Sequence, residues 1–190
     1  MPDSKSRSHK IVVVVWDDEP ETVNSLMTQL KEMENDKGDI TPRYYQSAIR
    51  LIDDISGGLR PYIALIDLKS KGNEDVGNVD RAFVRASEKE LDIKDHIDFD
   101  ALGDYTNWLQ RKYYGIGILA LLRAVSTPVR FAYTAYRAEG DLIAILGARR
   151  HLANYGVLNK DQDTAFKAIN DIITERRLVL AESRDTPDLY

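Results

Sequence analysis

The amino-acid sequence predicts an α/β protein built on a five-stranded parallel sheet. Two observations point to this class. Short strand-like segments alternate five times with segments of helical periodicity. Several of the strand-like segments are apolar throughout, which is typical of strands buried on both faces. Helices are therefore expected on both faces of the sheet.

The first half of the chain contributes three of these strands. Residues 10–16 are rich in β-branched side chains and read as a buried strand. Pro20 suits the first turn of a helix that we expect to end at about residue 33. A short strand at 40–45 precedes a helix at 46–56, which Gly57 and Gly58 end. The segment YIALID, residues 62–67, then reads as a second buried strand that ends in a carboxylate.

The second half repeats the alternation after a long interruption. Strands are predicted at 128–134 and 155–159, with helices at 139–150 and 164–182. Residues 69–114 form an insertion, and loops beyond about 12–15 residues usually carry structure of their own. Apolar periodicity predicts two helices within it, at 78–91 and 98–113, the second with Phe99, Leu102, Trp108, Leu109 and Tyr113 on one face. We expect them to dock on their own domain over or near the strand ends and limit access there, although another protein or a second copy of the chain is the alternative.

The domain organisation follows from these elements. We expect a disordered tail at 1–9, a single domain at 10–183 that includes the insertion at 69–114, and a flexible tail at 184–190. The longest apolar runs fall far short of the roughly 20 residues that cross a bilayer, so a cytoplasmic protein without a membrane partner is expected. The net charge of −5 argues against a nucleic-acid partner, and the absence of Cys excludes disulfides and thiolate metal sites.

Polar side chains stand where four of the predicted strands end: Asp17 with Asp18, then Asp67, Thr134 and Lys160. The carboxyl ends of parallel strands share one edge, where open α/β sheets bind ligands. Like charges about 4 Å apart repel by about 4 kcal/mol at an effective dielectric of 20, so three carboxylates there need a cation. Oxygen ligands of this kind suit Mg²⁺. Glu19 is interpreted as a charge at the helix N-terminus.

This set of groups is suited to phosphoryl transfer. A carboxylate can accept a phosphoryl group, as aspartates do when they form acyl phosphates, and Asp67 is the candidate. The ammonium of Lys160 and the hydroxyl of Thr134 would bind the phosphoryl oxygens, and Mg²⁺ would offset their charge against the carboxylates.

Four segments resemble the receiver domain of two-component response regulators. VVVVWDDEPETVNSL is similar to the opening acidic motif, and YIALIDL to the phosphoacceptor strand. GIGILALLRAVSTPVRFAYTAY resembles the third helix and fourth strand, and ANYGVLNK the fifth strand with its lysine. The resemblance implies a flavodoxin-like fold with strand order 2-1-3-4-5 and the insertion between strand 3 and helix 3.

The resemblance also implies roles for single residues. Asp67 would accept the phosphoryl group, Thr134 would move toward it and Lys160 would pair with it. Asp18 would bind Mg²⁺ directly, Asp17 through water, and the backbone carbonyl of Lys69 would be a further ligand. The implied partners are a histidine kinase or phosphotransfer protein and a downstream protein reached by direct contact, with a second copy of the chain as a further candidate.

Three departures from the family pattern bear on output. Lys69 and Ser70 stand in place of the usual Met-Pro, Asp161 replaces the Pro after the lysine, and Val157 occupies the position of a frequent switch aromatic. The usual coupling between Thr134 and that aromatic is therefore not expected. Two alternatives to the switch remain: a pseudo-receiver that binds proteins constitutively, and an aspartyl-phosphate hydrolase, which the position of Lys69 two residues after Asp67 disfavours.

Overall fold

The computed structural model describes residues 10–91, 105–134, 152–160 and 162–185. All five predicted strands are present: β1 Ile11–Trp16, β2 Ile40–Tyr45, β3 Ile63–Asp67, β4 Val129–Thr134 and β5 Gly156–Asn159. The predicted helix at 139–150, the tail at 1–9, residues 186–190 of the second tail, and Phe99 and Leu102 lie outside the described residues.

The strands form one sheet in the order β2-β1-β3-β4-β5, and every neighbouring pair is parallel. The predicted doubly wound architecture with order 2-1-3-4-5 is confirmed. The central strands β3 and β4 are buried along their whole length, as expected for apolar segments covered on both faces.

A 3₁₀ turn, Pro20–Thr22, follows β1, and the described helices are α1 Asn24–Lys37, α2 Ala48–Ser56, α3 Val76–Ser87, α4 Tyr105–Gln110, α5 Tyr114–Ala124 and α6 Gln162–Asp185. The predicted end of α1 at residue 33 was wrong. The helix continues until Gly38 adopts the left-handed conformation, with φ 67°, that glycine reaches without strain. α6 extends to Asp185.

The two faces of the sheet carry separate apolar clusters. Val13, Val15, Leu65 and Phe131 point to one face, where they pack with α1 and α6. Val14, Trp16, Ala64, Ile66 and Ala132 point to the other face, which α2 and α5 cover. This alternation is the period-2 pattern of a strand with both faces buried. Among the described residues no helix is both long enough and apolar enough to span a membrane.

The insertion adds a further layer on the α2–α5 face. Its apolar side chains join the same cluster, namely Val79, Ala82, Phe83, Ala86, Trp108, Leu109 and Tyr113. The Phe83 and Trp108 rings meet edge to face, with centroids 5.9 Å apart. Gly117 of α5 lies beneath them, because a Cβ at that position would come within 2.5 Å of the Phe83 ring and 3.0 Å of Trp108. The predicted docking of the insertion on its own domain is confirmed.

Of the two expected positions, over or near the strand ends, the insertion takes the second. Its helices α3 and α4 pack against α2 and α5 beside the sheet, rather than over the strand ends. Consequently α5 is buried from Tyr114 to Leu122. It is the short segment 70–74, at the start of the insertion, that contacts the strand ends.

Candidate functional site

Parallel pairing brings the predicted polar strand ends to one edge of the sheet. Trp16 pairs with Ile66, so the residues that follow them, Asp17 and Asp67, lie side by side at the ends of neighbouring strands. Asp67 pairs with Tyr133, and Thr134 with Asn159, so Thr134 and Lys160 follow at the ends of β4 and β5. One carboxylate oxygen from each of Asp17, Asp18 and Asp67 lies within 4.8 Å of the others. We call Asp17, Asp18, Asp67 and Lys160 the acidic site.

Lys160 is the cation that the crowded carboxylates require. Its Nζ lies 2.7 Å from Asp67 Oδ2 and 2.8 Å from Asp17 Oδ2, and all three side chains are at most 10% exposed. Glu19 Oε2 is 3.9 Å from the same Nζ. The acidic site holds three carboxylates and one ammonium, so it keeps an excess of negative charge.

Burial dominates the electrostatics of Asp67. Loss of water around the carboxyl group is the main reason that the pKa of Asp67 rises to about 7. Neighbouring Asp17 and Asp18 raise this pKa further, and the attraction of Lys160 only partly opposes these effects. Burial by itself lowers the pKa of Lys160, but the combined attraction of Asp67 and Asp17 outweighs burial and raises that pKa above its usual value. The ammonium therefore stays charged, whereas ionised Asp67 is destabilised until more positive charge arrives.

Asp17 is fixed by its own turn. Its Oδ1 accepts a hydrogen bond from Glu19 N at 2.9 Å, and its Oδ2 accepts one from Thr22 Oγ1 at 2.7 Å. The hydroxyl of Tyr44 donates to the backbone carbonyl of Asp17 at 2.6 Å. These bonds leave Asp17 immobile between β1 and the 3₁₀ turn, with Lys160 as its ionic partner.

The two oxygens of Asp18 have different surroundings. Oδ2 accepts hydrogen bonds from Ser70 Oγ at 3.0 Å, from Lys71 N at 2.6 Å and from Gly72 N. Oδ1 is buried and has no hydrogen-bond partner among the described residues. A buried, unpartnered carboxylate oxygen costs free energy unless a cation binds it. This oxygen, in an all-carboxylate donor set with excess negative charge, fits a hard divalent cation such as Mg²⁺.

Two predicted site residues are placed less fully. Thr134 is 7% exposed at the end of β4, and its carbonyl accepts a hydrogen bond from Lys160 N at 3.3 Å. Lys69 lies two residues after Asp67, and its ammonium sits 5.4 Å from the centroid of the Tyr113 ring. The roles of the Thr134 hydroxyl and of the Lys69 carbonyl stay predictions.

Sequence reasoning missed the contribution of the insertion to this edge. Ser70 is 2% exposed, and Lys71 Nζ lies 2.7 Å from Glu19 Oε2, so Glu19 pairs with the insertion in addition to starting the helical turn. No sequence pattern connects a backbone amide of the insertion with a carboxylate some 50 positions earlier. Long-range backbone contacts of this kind have no sequence periodicity.

A second anchor holds the same segment against α2. The Glu74 carboxylate accepts hydrogen bonds from Ser47 Oγ at 2.5 Å and from Ala48 N at 2.9 Å, at the helix N-terminus where negative charge is favoured. Between this anchor and the end of β2 lies a polar cleft of about 730 Å³, which Asp18, Arg43, Arg50 and Glu74 help to line.

Comparison with known proteins bears on the fold. No protein-family model and no curated protein matches the chain. A solved structure containing the yeast Spc42 trimeric coiled coil fused to another structure is similar at 12% identity and TM-score 0.51, covering 92% of this chain and 87% of that one.

Two receiver-domain structures are also similar. The signal receiver domain of a modulated diguanylate cyclase from Desulfovibrio desulfuricans G20 matches at 17% identity and TM-score 0.45, over 89% of this chain and 98% of that one. The receiver domain of a NarL response regulator from Mycobacterium tuberculosis matches at 17% identity and TM-score 0.47, over 86% and 96%. At such identities a likeness concerns the fold alone.

Proposed function

We propose that this protein is a phosphorylation-dependent signalling switch of the receiver type, which accepts a phosphoryl group on Asp67 with Mg²⁺ bound beside it. The observation that carries the proposal is the geometry of the acidic site. Asp67 ends a central strand, Lys160 Nζ lies 2.7 Å from its Oδ2, and an oxygen of each of Asp17 and Asp18 lies within 4.8 Å. This arrangement combines a carboxylate nucleophile with a fixed cation and a divalent-metal site.

The reaction is a displacement at phosphorus. An Asp67 carboxylate oxygen attacks the phosphorus of a phosphohistidine or of a small acyl phosphate, and the bond from phosphorus to the imidazole nitrogen or to the acyl oxygen breaks. The leaving group keeps the electron pair, so a histidine takes up a proton and a carboxylate leaves as the anion. The product is an acyl phosphate on Asp67. Mg²⁺, when bound, supplies charge that offsets the repulsion between phosphoryl oxygens and carboxylates.

The chain's own residues hold the reacting groups. Asp17, fixed by Glu19 N and Thr22 Oγ1, positions the Lys160 ammonium, which then pairs with Asp67 before transfer and with the phosphoryl oxygens afterwards. Asp17, Asp18, Asp67 and the Lys69 carbonyl would hold the metal, with Asp17 acting through water. The Thr134 hydroxyl would donate to a phosphoryl oxygen.

The signalling context follows from this chemistry. The phosphoryl donor would be a histidine kinase or phosphotransfer protein in the cytoplasm, and output would pass by contact with a downstream protein. Val157 leaves the usual aromatic switch position without a ring, so the change in surface on phosphorylation must involve other side chains.

The experiment is a mass measurement of the intact protein after incubation with acetyl phosphate. The expected result is addition of one phosphoryl group that requires Mg²⁺ and is lost in base. A chain that binds Mg²⁺ but takes no phosphoryl group would be a constitutive binding module. Continuous release of inorganic phosphate over many turnovers would instead identify an aspartyl-phosphate hydrolase.

A further inference from the structure

The start of the insertion is hydrogen-bonded to the acidic site, and its far end is hydrogen-bonded to that same starting segment. Near its start, Ser70, Lys71 and Gly72 donate hydrogen bonds to Asp18 Oδ2. Near its far end, Lys112 Nζ donates to the Gly72 carbonyl at 2.8 Å, and the Lys112 carbonyl accepts from Ser70 N at 2.9 Å. We call Ser70, Lys71, Gly72 and Lys112 the clasp.

We propose that the clasp is a positioning element of the metal site: it binds one oxygen of Asp18 and thereby presents the other to Mg²⁺. This inference takes from the proposed function only that the acidic site binds Mg²⁺. It assigns the insertion a role in that binding. Three donors fix Oδ2, while Oδ1 is buried without a hydrogen-bond partner among the described residues. Hydrogen bonds from surrounding residues orient metal-ligating carboxylates in this way.

The close approach of Gly72 supports this function. A Cβ at Gly72 would lie 2.9 Å from Asp18 Oδ2, closer than real Cβ contacts, so the backbone reaches the carboxylate only because no side chain intervenes. Ser70 adds a second constraint, since its Oγ donates to Asp18 and also accepts from Gly72 N at 3.2 Å. The hydroxyl thus sets the distance between the loop and the carboxylate.

Lys112 closes the clasp from a backbone conformation that usually favours glycine. Its φ is 60°, at the end of α4, where Lys112 N bonds to Leu109 O and Tyr113 N to Trp108 O. A glycine would satisfy the helix end better than a lysine does. The ammonium, however, donates to the Gly72 carbonyl, a contact that a glycine would lack. A helix end alone therefore does not account for a lysine at this position.

The test measures Mg²⁺ affinity of the full, unphosphorylated chain by calorimetry in four variants. Ser70→Ala removes one donor, and Lys112→Gly removes the ammonium while suiting the backbone. We expect each to weaken Mg²⁺ binding by roughly tenfold or more, as losses of orienting partners do. Ser70→Thr, which keeps the hydroxyl, should restore affinity. Glu90→Gly is the matched control, since Glu90 has φ 62° in the same insertion away from Asp18.

A second readout separates positioning from folding. Hydrogen exchange of the Lys71 and Gly72 amides in metal-free protein should be slow in the wild type and fast in Ser70→Ala, while thermal stability of Lys112→Gly should not fall. Unchanged Mg²⁺ affinity in both clasp variants would overturn the proposal, as would an equal loss in Glu90→Gly. Tighter binding would show that the loop competes with the metal, and would overturn it as well.

The outcomes also separate this proposal from the proposed function. If the wild type binds Mg²⁺ but takes no phosphoryl group, and the clasp variants bind Mg²⁺ more weakly, the clasp proposal stands and the switch is refuted. A wild type that is phosphorylated while the clasp variants bind Mg²⁺ normally would do the reverse. A wild type that binds no Mg²⁺ at all would refute the clasp directly.

Discussion

The acidic site and the insertion helices affect the stability of the protein in opposite ways. At the acidic site, charged groups are almost fully buried and remain short of positive charge, so folding carries an electrostatic cost there. In the insertion, Phe83, Trp108 and Gly117 pack tightly with apolar contacts, while ion pairs such as Arg85–Asp53 stay at the surface. The acidic site therefore lowers the stability of the fold, and the insertion raises it.

The largest change in the free energy of unfolding is expected for a substitution in the apolar packing of the insertion. Phe83→Ala should lower the free energy of unfolding by roughly 3–5 kcal/mol, because a 2% exposed ring would leave a cavity between Trp108 and Gly117. Val84→Ala, one position along the same helix at 50% exposure, should change it by less than about 0.5 kcal/mol. Chemical denaturation measures both. Equal effects of the two variants would mean that α3 is not docked as described.

At the acidic site, by contrast, removing a charge should stabilise the metal-free protein. The pKa of Asp67 rises from 3.8 to about 7 on folding, so its stabilising effect is complete below pH 4 and is lost as pH rises through 7. Asp67→Asn should therefore raise the free energy of unfolding at pH 8 on the order of 2–4 kcal/mol, and by much less near pH 4.

Asp171→Asn is the control, because it removes an exposed carboxylate from α6 rather than a buried one. Denaturant titrations at pH 4.5, 6 and 8 with EDTA measure the difference. A destabilised Asp67→Asn protein at pH 8 would mean that the ion pair with Lys160 outweighs the cost of burial.

A bound divalent metal ion should reduce the electrostatic cost at the acidic site and so stabilise the folded protein. Mg²⁺ at about 100 times its dissociation constant would add roughly 2.7 kcal/mol to the free energy of unfolding by mass action. Asp18→Ala should remove most of this response, which thermal melts with and without Mg²⁺ detect. An identical shift in Asp18→Ala would place the ion elsewhere on the molecule.

The smallest effect is expected at the surface ion pair. Arg85 Nη2 lies 2.8 Å from Asp53 Oδ1, but both side chains are about half exposed, so a double-mutant cycle should give less than about 1 kcal/mol and less again in high salt. A salt-insensitive coupling larger than this would show that the pair is shielded from solvent.

The strand-end residues were predictable because two local patterns sufficed. Apolar runs ending in Asp17 and Asp67 located the strands, and parallel pairing placed their ends together. The extra turn of α1 was not predicted, since its residues before Gly38 are polar and carry no apolar periodicity. The clasp was not predictable, because contacts between the Lys71 amide and Asp18 depend on how a long insertion folds back, which composition does not encode.

The packing of α5 shows the same limit. The family resemblance implied a third helix here, but the roles of Gly115 and Gly117 are visible only in three dimensions. A Cβ at Gly115 would clash with the carbonyl oxygen of Asp67, so this glycine lets the helix start directly against the end of β3. Gly117 likewise leaves room for the Phe83 and Trp108 rings of the insertion.

The most direct test of the central claim identifies which carboxylate carries the phosphoryl group. After reaction with acetyl phosphate and Mg²⁺, hydride reduction of the acyl phosphate leaves homoserine at the labelled position, and peptide mass spectrometry locates it. The account predicts homoserine at position 67, with none after omission of Mg²⁺ or in Asp67→Asn. Homoserine at another aspartate position, or an unchanged label in Asp67→Asn, would contradict it.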